Sequence, residues 1–215
     1  MPFDFPNFLE SFDANKEQLH PSRIDSGIFA RELISNYLTA LRSLKPQGDV
    51  NLKKILLKAH SKTVALGSST ACVVTLKRDR LCYANVGDSS FMVFRGKRLV
   101  YRSPTQHSFF NCPFSLGNWG DIVVAGTDGL FDNLFGSEIE EILQETEGRS
   151  CLQDLAWTIA TVASMNSTSE DYDSPFAVAA ESAGIEHIGG KVDDIIVIVA
   201  VIELYHSPVA LCYGY

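Results

Sequence analysis

Apolar residues recur at helical spacing early in the chain, change to short strand-like runs in the middle, and alternate between the two patterns afterwards. Phe29, Leu33 and Tyr37 fall four apart, with Ile34, Leu38 and Leu41 on the adjoining stripe. After the start signal Asp25-Ser26-Gly27, this predicts an amphipathic helix of about four turns. Lys45-Pro46-Gln47-Gly48 breaks it, and Asp49 is the expected N-cap of a second helix with Leu52, Ile55, Leu56 and Ala59 on one side. Thr70–Leu76, Leu81–Val86, Phe91–Phe94 and Leu99–Tyr101 are β-branched or aromatic runs. They are separated by Lys77-Arg78-Asp79-Arg80, Gly87-Asp88 and Gly96-Lys97, which predicts an antiparallel meander. A long loop with Pro104, Pro113 and Gly117 covers residues 103–120. The apolar run Asp121–Ala125 predicts a strand, Ser137 starts a helix, and residues 152–165 form another with Leu155, Ile159 and Val162 as its core stripe. A polar loop spans 166–174, a short helix 176–182, and a last strand Ile195–Ile202.

Strands that are consecutive and antiparallel, with helices in adjacent pairs, predict an α+β fold: two antiparallel sheets back to back, forming a β-sandwich flanked by helices. Residues 1–22 hold three prolines and no sustained period, and read as an irregular arm. The expected domain covers 23–205, incomplete at its N-terminus, with 206–215 as a C-terminal tail.

Composition narrows the function classes. A net charge of −8 argues against nucleic acid as a partner. Cys72, Cys82, Cys112, Cys151 and Cys212 form no CxxC and read as reduced packing residues, not as a zinc site. No apolar run reaches the roughly 18–20 residues of a membrane span. The N-terminus has neither a secretory signal nor a transit peptide, so the chain as given reads as cytoplasmic. A longer N-terminus would leave mitochondrion or plastid open. His20, His60, His107, His187 and His206 form no HxxxH pattern. Lys77-Arg78-Asp79-Arg80 reads as a solvated hairpin turn.

The acids are the candidate chemistry. Asp128 and Asp132 follow the strand 121–125, and Asp193 and Asp194 precede the last strand. Carboxylates at strand ends suit hard divalent cations such as Mg²⁺ or Mn²⁺. Asp-Gly after a strand is equally a common turn signal, so neither stretch decides alone. Asp88 closes a third strand.

Taken together and in order, Gly67-Ser-Ser-Thr-Ala71, Ala84-Asn-Val-Gly-Asp-Ser89, Gln106-His107, Asn111-Cys-Pro-Phe114, Gly120–Asn133, Ser174-Pro-Phe176 and Gly189-Gly-Lys-Val-Asp-Asp194 resemble the metal-dependent protein phosphatase 2C family. The closest resemblance is to its Ptc7-like (mitochondrial/plastid) branch. The resemblance implies a β-sandwich flanked by helices that hydrolyses phosphoserine and phosphothreonine. Two Mn²⁺ or Mg²⁺ ions in such enzymes activate a bridging water. By motif it implies Asp128 and Asp193 as ligands of the metal pair, Asp88 and Asp132 as ligands of a weaker third ion, and Asp194 as an outer residue orienting a ligand. Gly87 and Gly129 are implied as structural turns. No catalytic residue beyond the metal ligands is implied. The partner is a phosphoprotein substrate, with no membrane and a monomeric chain.

The sequence departs from the family in one respect that matters. Two N-terminal strands and their Asp-Gly-Val-Gly-Gly-Trp motif, whose Asp bridges both metals, are not found; Ala14–Arg23 stands there instead. Binding of a metal pair is therefore expected to be impaired. The alternative expectation is a catalytically impaired pseudophosphatase, or a truncated form acting only by binding, with Phe3, Phe5, Phe8, Leu9 and Phe12 packing over the open sheet edge. Ile196 replaces a Thr that is common after Asp-Asp in the family and is expected to be a buried, tolerated change.

Overall fold

The computed structural model describes residues 25–44, 51–77, 80–104, 120–146 and 151–203. The expected arm 1–22, the tail 206–215, most of the 103–120 loop, Asp49, the tip of the 77–80 turn, and His20, His107 and His206 lie outside the described residues. The chain divides into two compact units, Met1–Val73 and Val74–Tyr215.

In the first unit, helix α1 (Ser26–Arg42) starts where the sequence predicts, because the Asp25 carboxylate accepts the Ile28 N–H at 2.9 Å. Its buried residues are Phe29, Leu33, Tyr37 and Ala40. Helix α2 (Leu52–His60) is capped by Asn51, whose side chain accepts from the Lys54 N–H at 3.0 Å, and not by Asp49 as expected. Asn51 stands three residues before the N–H it caps, and Asp49 is two residues too early to reach it. The Glu32 carboxylate takes the Val64 and Ala65 N–H groups at 3.1 and 2.8 Å, tying the segment after α2 to α1.

The second unit carries the strands, apart from the first three residues of β1. β1 (Ala71–Lys77) pairs with β2 (Arg80–Val86). A second, antiparallel sheet has the order β4-β3-β5-β6, built from β3 (Ser90–Arg95), β4 (Arg98–Arg102), β5 (Ile122–Gly126) and β6 (Val197–Val201). The fold class is thus the predicted α+β arrangement of two sheets with helices. The single meander is corrected: β2 and β3 are consecutive but belong to different sheets. The reason lies in the corner between them, where Gly87 adopts φ 97° and the Asn85 side-chain amide donates to the Ser89 carbonyl at 2.6 Å. A chain turned this way leaves one sheet and enters the other. β3 then becomes a central strand buried on both faces, which explains its unalternating Phe91-Met92-Val93-Phe94. Tyr83, Phe91 and Tyr101 meet across the corner, with the Tyr101 hydroxyl donating to the Tyr83 hydroxyl at 2.9 Å.

Four helices complete this unit: α3 (Asp128–Phe131), α4 (Gly136–Glu145), α5 (Leu152–Ser167) and α6 (Pro175–Ser182). The one-turn helix α3 was not predicted; four residues are too few for a period to show. α5 buries Leu155, Ile159, Ala163 and Ser167, while Val162 packs at the margin of the core. The core joins Met92, Phe94 and Val124 of the sheet to Leu130, Leu134, Ile139, Leu143 and Ile159 of the helices. At the start of β5 the buried Asp121 carboxylate takes both the Nε and an Nη of Arg95 at 2.9 Å, a bidentate pair that fixes β5 against β3. β6 differs from expectation. Ile196 is 56% exposed, not buried, and Ile198 is 60% exposed, because both point to the face opposite Ile195, Val197 and Val199, which pack on the core.

Ile159→Ala should cost about 2–5 kcal/mol, because it empties a fully buried site in the helix–sheet core. Trp157→Ala, on the outer face of α5 at 76% exposure, should stay within about 0.5 kcal/mol. Urea unfolding followed by circular dichroism separates the two, and equal midpoints would show that α5 does not pack as described.

Candidate functional site

The site forms where β5 ends beside the start of β6. Antiparallel pairing sets Gly126 opposite Val197, and the chain beyond each partner continues into acids. Thr127 locks this junction: its Oγ1 donates to the Asp194 carbonyl at 2.6 Å and accepts the Ile196 N–H at 3.1 Å. α3 then begins at once, so Asp128 and its C-cap Asp132 stand four apart, on one face of a helical turn. Gly129 lies inside this helical turn and not in a tight loop. It is small because the Asp194 carbonyl would lie 2.6 Å from a Cβ placed there.

Asp193 comes up to the same point from the β6 side. The three carboxylates meet on one cation, the Lys191 ammonium. Its Nζ lies 3.0 Å from an oxygen of Asp128, 2.7 Å from Asp132 and 3.0 Å from Asp193. The other oxygens of two of these acids are already used, Oδ1 of Asp128 by the Gly129 N–H at 3.0 Å and Oδ1 of Asp193 by the Asp194 N–H at 2.8 Å. The side chains remain open to solvent, at 28% for Lys191, 27% for Asp128 and Asp132, and 35% for Asp193.

Asn133 carries Lys191 to this position. It is fully buried, its amide donates to the Gly129 and Lys191 carbonyls at 2.9 and 2.7 Å, and its oxygen accepts the Lys191 N–H at 2.8 Å. One side chain therefore holds both backbone groups of Lys191. Just before it, Gly190 passes against the Asn166 carbonyl, an approach that leaves no room for a Cβ. Ser174, also buried, caps α6 by accepting the Ala177 N–H at 3.0 Å and donates to the Gly189 carbonyl at 2.6 Å. The Phe176 ring forms a wall, 5.1 Å from the Lys191 ammonium and edge-on to His187 at 4.7 Å.

Burial, and less strongly the neighbouring carboxylates, hold the Asp132 carboxyl above the ordinary range, against the pull of Lys191. The hydrogen bond from Lys191 holds Asp193 below it. Burial works against the Lys191 charge, but its hydrogen bonds to Asp132, Asp128 and Asp193 outweigh this and keep the amine protonated well above its ordinary range.

The remaining acids of interest are placed differently. Asp194 is exposed and contributes its backbone, not its carboxylate, to the junction. Asp88 is exposed on the turn after β2, where Gly87 takes its positive φ, and among the described residues no hydrogen bond or ion pair joins it to the Lys191 cluster. Lys191, Asn133, Thr127 and Phe176 are parts of the site that sequence reasoning did not single out. The available signal was a lone basic residue between Gly-Gly and an acidic pair.

Converging carboxylate oxygens are the donor set of a hard divalent cation. Among the described residues no group of three or more His, Cys, Asp or Glu is arranged so that it could hold a metal ion; the three carboxylates meet on an ammonium instead. The donors fit Mg²⁺ or Mn²⁺ in kind, with the ammonium as stand-in.

Comparison with known proteins defines the class. No family model matches the chain. "Probable protein phosphatase 2C 55" of Arabidopsis thaliana is 38% identical over 196 residues, covering 82% of this chain and 42% of that protein. "Protein phosphatase PTC7 homolog fig" of Drosophila grimshawi is 35% identical over 221 residues, covering 84% of this chain and 70% of that protein. The X-ray structure of the photosystem II phosphatase PBCP superposes with a TM-score of 0.74 at 28% identity, covering 85% of this chain and 82% of that one. The two-sheet fold with acids at its strand ends is thus that of a protein phosphatase. The chain belongs to the protein phosphatase 2C family, and its relatives include PTC7 homologs. It spans less than half the length of two of its Arabidopsis relatives, 42% and 47%. Among the described residues no helix is long and apolar enough to cross a membrane.

Replacing Asn133 by Ala should cost about 3 kcal/mol or more, since it strands the Lys191 N–H and two carbonyls in a buried position. Amide hydrogen exchange reads this directly: the Lys191 N–H should lose its protection. Retained protection at Lys191 would show that Asn133 does not hold it.

Proposed function

We propose that this chain is a metal-dependent serine/threonine protein phosphatase that hydrolyses phosphoserine and phosphothreonine by a metal-activated water. The observation that carries the reading is the meeting of Asp128, Asp132 and Asp193 on one cation at the ends of β5 and β6. Family membership supports the phosphatase class. Asp128 and Asp193 would hold the metal pair, and Asp132 and Asp88 a third ion. Asp194, by keeping the Thr127–Asp194 junction in register, would orient Asp193. When bound, Mn²⁺ or Mg²⁺ would supply the activated water and stabilise charge on the phosphoryl oxygens.

The chain's own residues do the rest. Thr127 and Asn133 fix the backbones that bear the acids and Lys191, so the donors do not need to be reorganised. Phosphoproteins are the substrate class, and the half-exposed acids leave the site open to a phosphorylated side chain on a protein surface. A second reading, a pseudophosphatase acting only by binding, is favoured by one observation: a Lys191 ammonium already occupies the point where the three carboxylates meet.

A phosphopeptide turnover assay with Mn²⁺ tests the reading. Asp128→Asn and Asp193→Asn should each lower turnover about 10²-fold or more. Removal of the metal by a chelator should abolish turnover. Undiminished turnover in Asp128→Asn would overturn the assignment, and a folded wild-type chain with no turnover would favour the binding-only reading.

A further inference from the structure

We infer that the Lys191 ammonium is an internal counter-ion of this site: it holds Asp128, Asp132 and Asp193 together when no divalent cation is bound, and must leave before one binds. The inference rests on the divalent-cation reading above.

Four features of the geometry carry it. An ammonium has three donor hydrogens; Nζ donates to Asp128 and Asp132 at 3.0 and 2.7 Å and pairs with Asp193 at 3.0 Å. The oxygens it takes are the Oδ2 atoms, whereas Oδ1 of Asp128 and of Asp193 are held by backbone N–H groups. A divalent ion would therefore need the same oxygens, and two cations at one point repel. Asn133 pins the Lys191 backbone on both its N–H and its carbonyl, so the amine is delivered from a fixed Cα. The side chain itself is 28% exposed, so solvent can receive the ammonium when it leaves, and the Phe176 ring stands 5.1 Å from it on one side only.

This arrangement gives opposite signs for two measurable quantities. Removing the ammonium leaves three like charges facing one another, which weakens the metal-free protein. It also frees their oxygens, which strengthens divalent-ion binding. A lysine that only supported the fold would not strengthen binding on removal. A lysine that only contacted a phosphoryl group would leave metal affinity unchanged.

The test is calorimetric titration with Mn²⁺ and metal-free thermal melting of the full chain, wild type and Lys191→Met. If the ammonium occupies the site in about 90–99% of metal-free molecules, the variant should bind Mn²⁺ about ten- to hundredfold more tightly and melt at a lower temperature without metal. Equal or weaker Mn²⁺ binding by the variant overturns the inference while leaving the metal site intact. Absence of Mn²⁺ binding in both folded proteins overturns the divalent-cation reading, and this inference with it. A second measurement uses only the wild-type chain, in case Lys191→Met fails to fold. Acylation of Lys191 by an amine-reactive reagent, followed by mass spectrometry, should be faster with Mn²⁺ than without. A rate that is unchanged or slower with Mn²⁺ overturns the inference.

Discussion

Three carboxylates held at the ends of two paired strands repel one another, and the rest of the site is arranged around that repulsion. Two unit charges about 4 Å apart interact by about 4 kcal/mol at the effective dielectric near a protein surface. The acids cannot relax by moving apart: Asp128 and Asp132 share one helical turn, and Asp193 is tied to that turn through the Thr127–Asp194 contact. A cation must stand among them. In this structure it is a lysine from the same loop as Asp193, so the cluster carries its own partial neutralisation.

The precision of the cluster comes from parts that bear no charge. β5 is fixed at its start by the Arg95–Asp121 pair and at its end by Thr127. Between them β3 and β6 flank β5 in antiparallel register. Asn133, buried behind the acids, converts the position of α3 into the position of Lys191. The carboxylates are partly exposed to solvent, while Gly129, Leu130 and Phe131 between two of them, and Asn133 beside them, are buried.

Much of the architecture was readable in the chain. The helices at 26–42 and 152–167 announced themselves by a sustained stripe of apolar residues, since helical burial imposes a period long enough to see. Strand positions were readable for the same reason, but sheet membership was not. Whether β3 pairs with β2 or crosses to another sheet turns on the Gly87 corner and on packing against both faces of β3, which no local period encodes. Ile196 shows the converse error: an apolar residue beside a strand reads as buried, while its exposure depends on which face of the strand the core covers.

The sequence by itself determined the residue types of the site and the family to which they belong, because Asp128, Asp132, Asp193 and Asp194 sit in short motifs whose order along the chain is visible. Only the tertiary structure decided which of these acids meet. Asp128 and Lys191 are 63 residues apart, and their contact exists because β5 and β6 pair in one register. It also separated Asp194 and Asp88 from the three acids around the ammonium, and gave Lys191 a role that its sequence position disguised. A lysine beside acids normally reads as a solvated charge; here a buried asparagine from another element fixes its backbone and so aims its side chain at them.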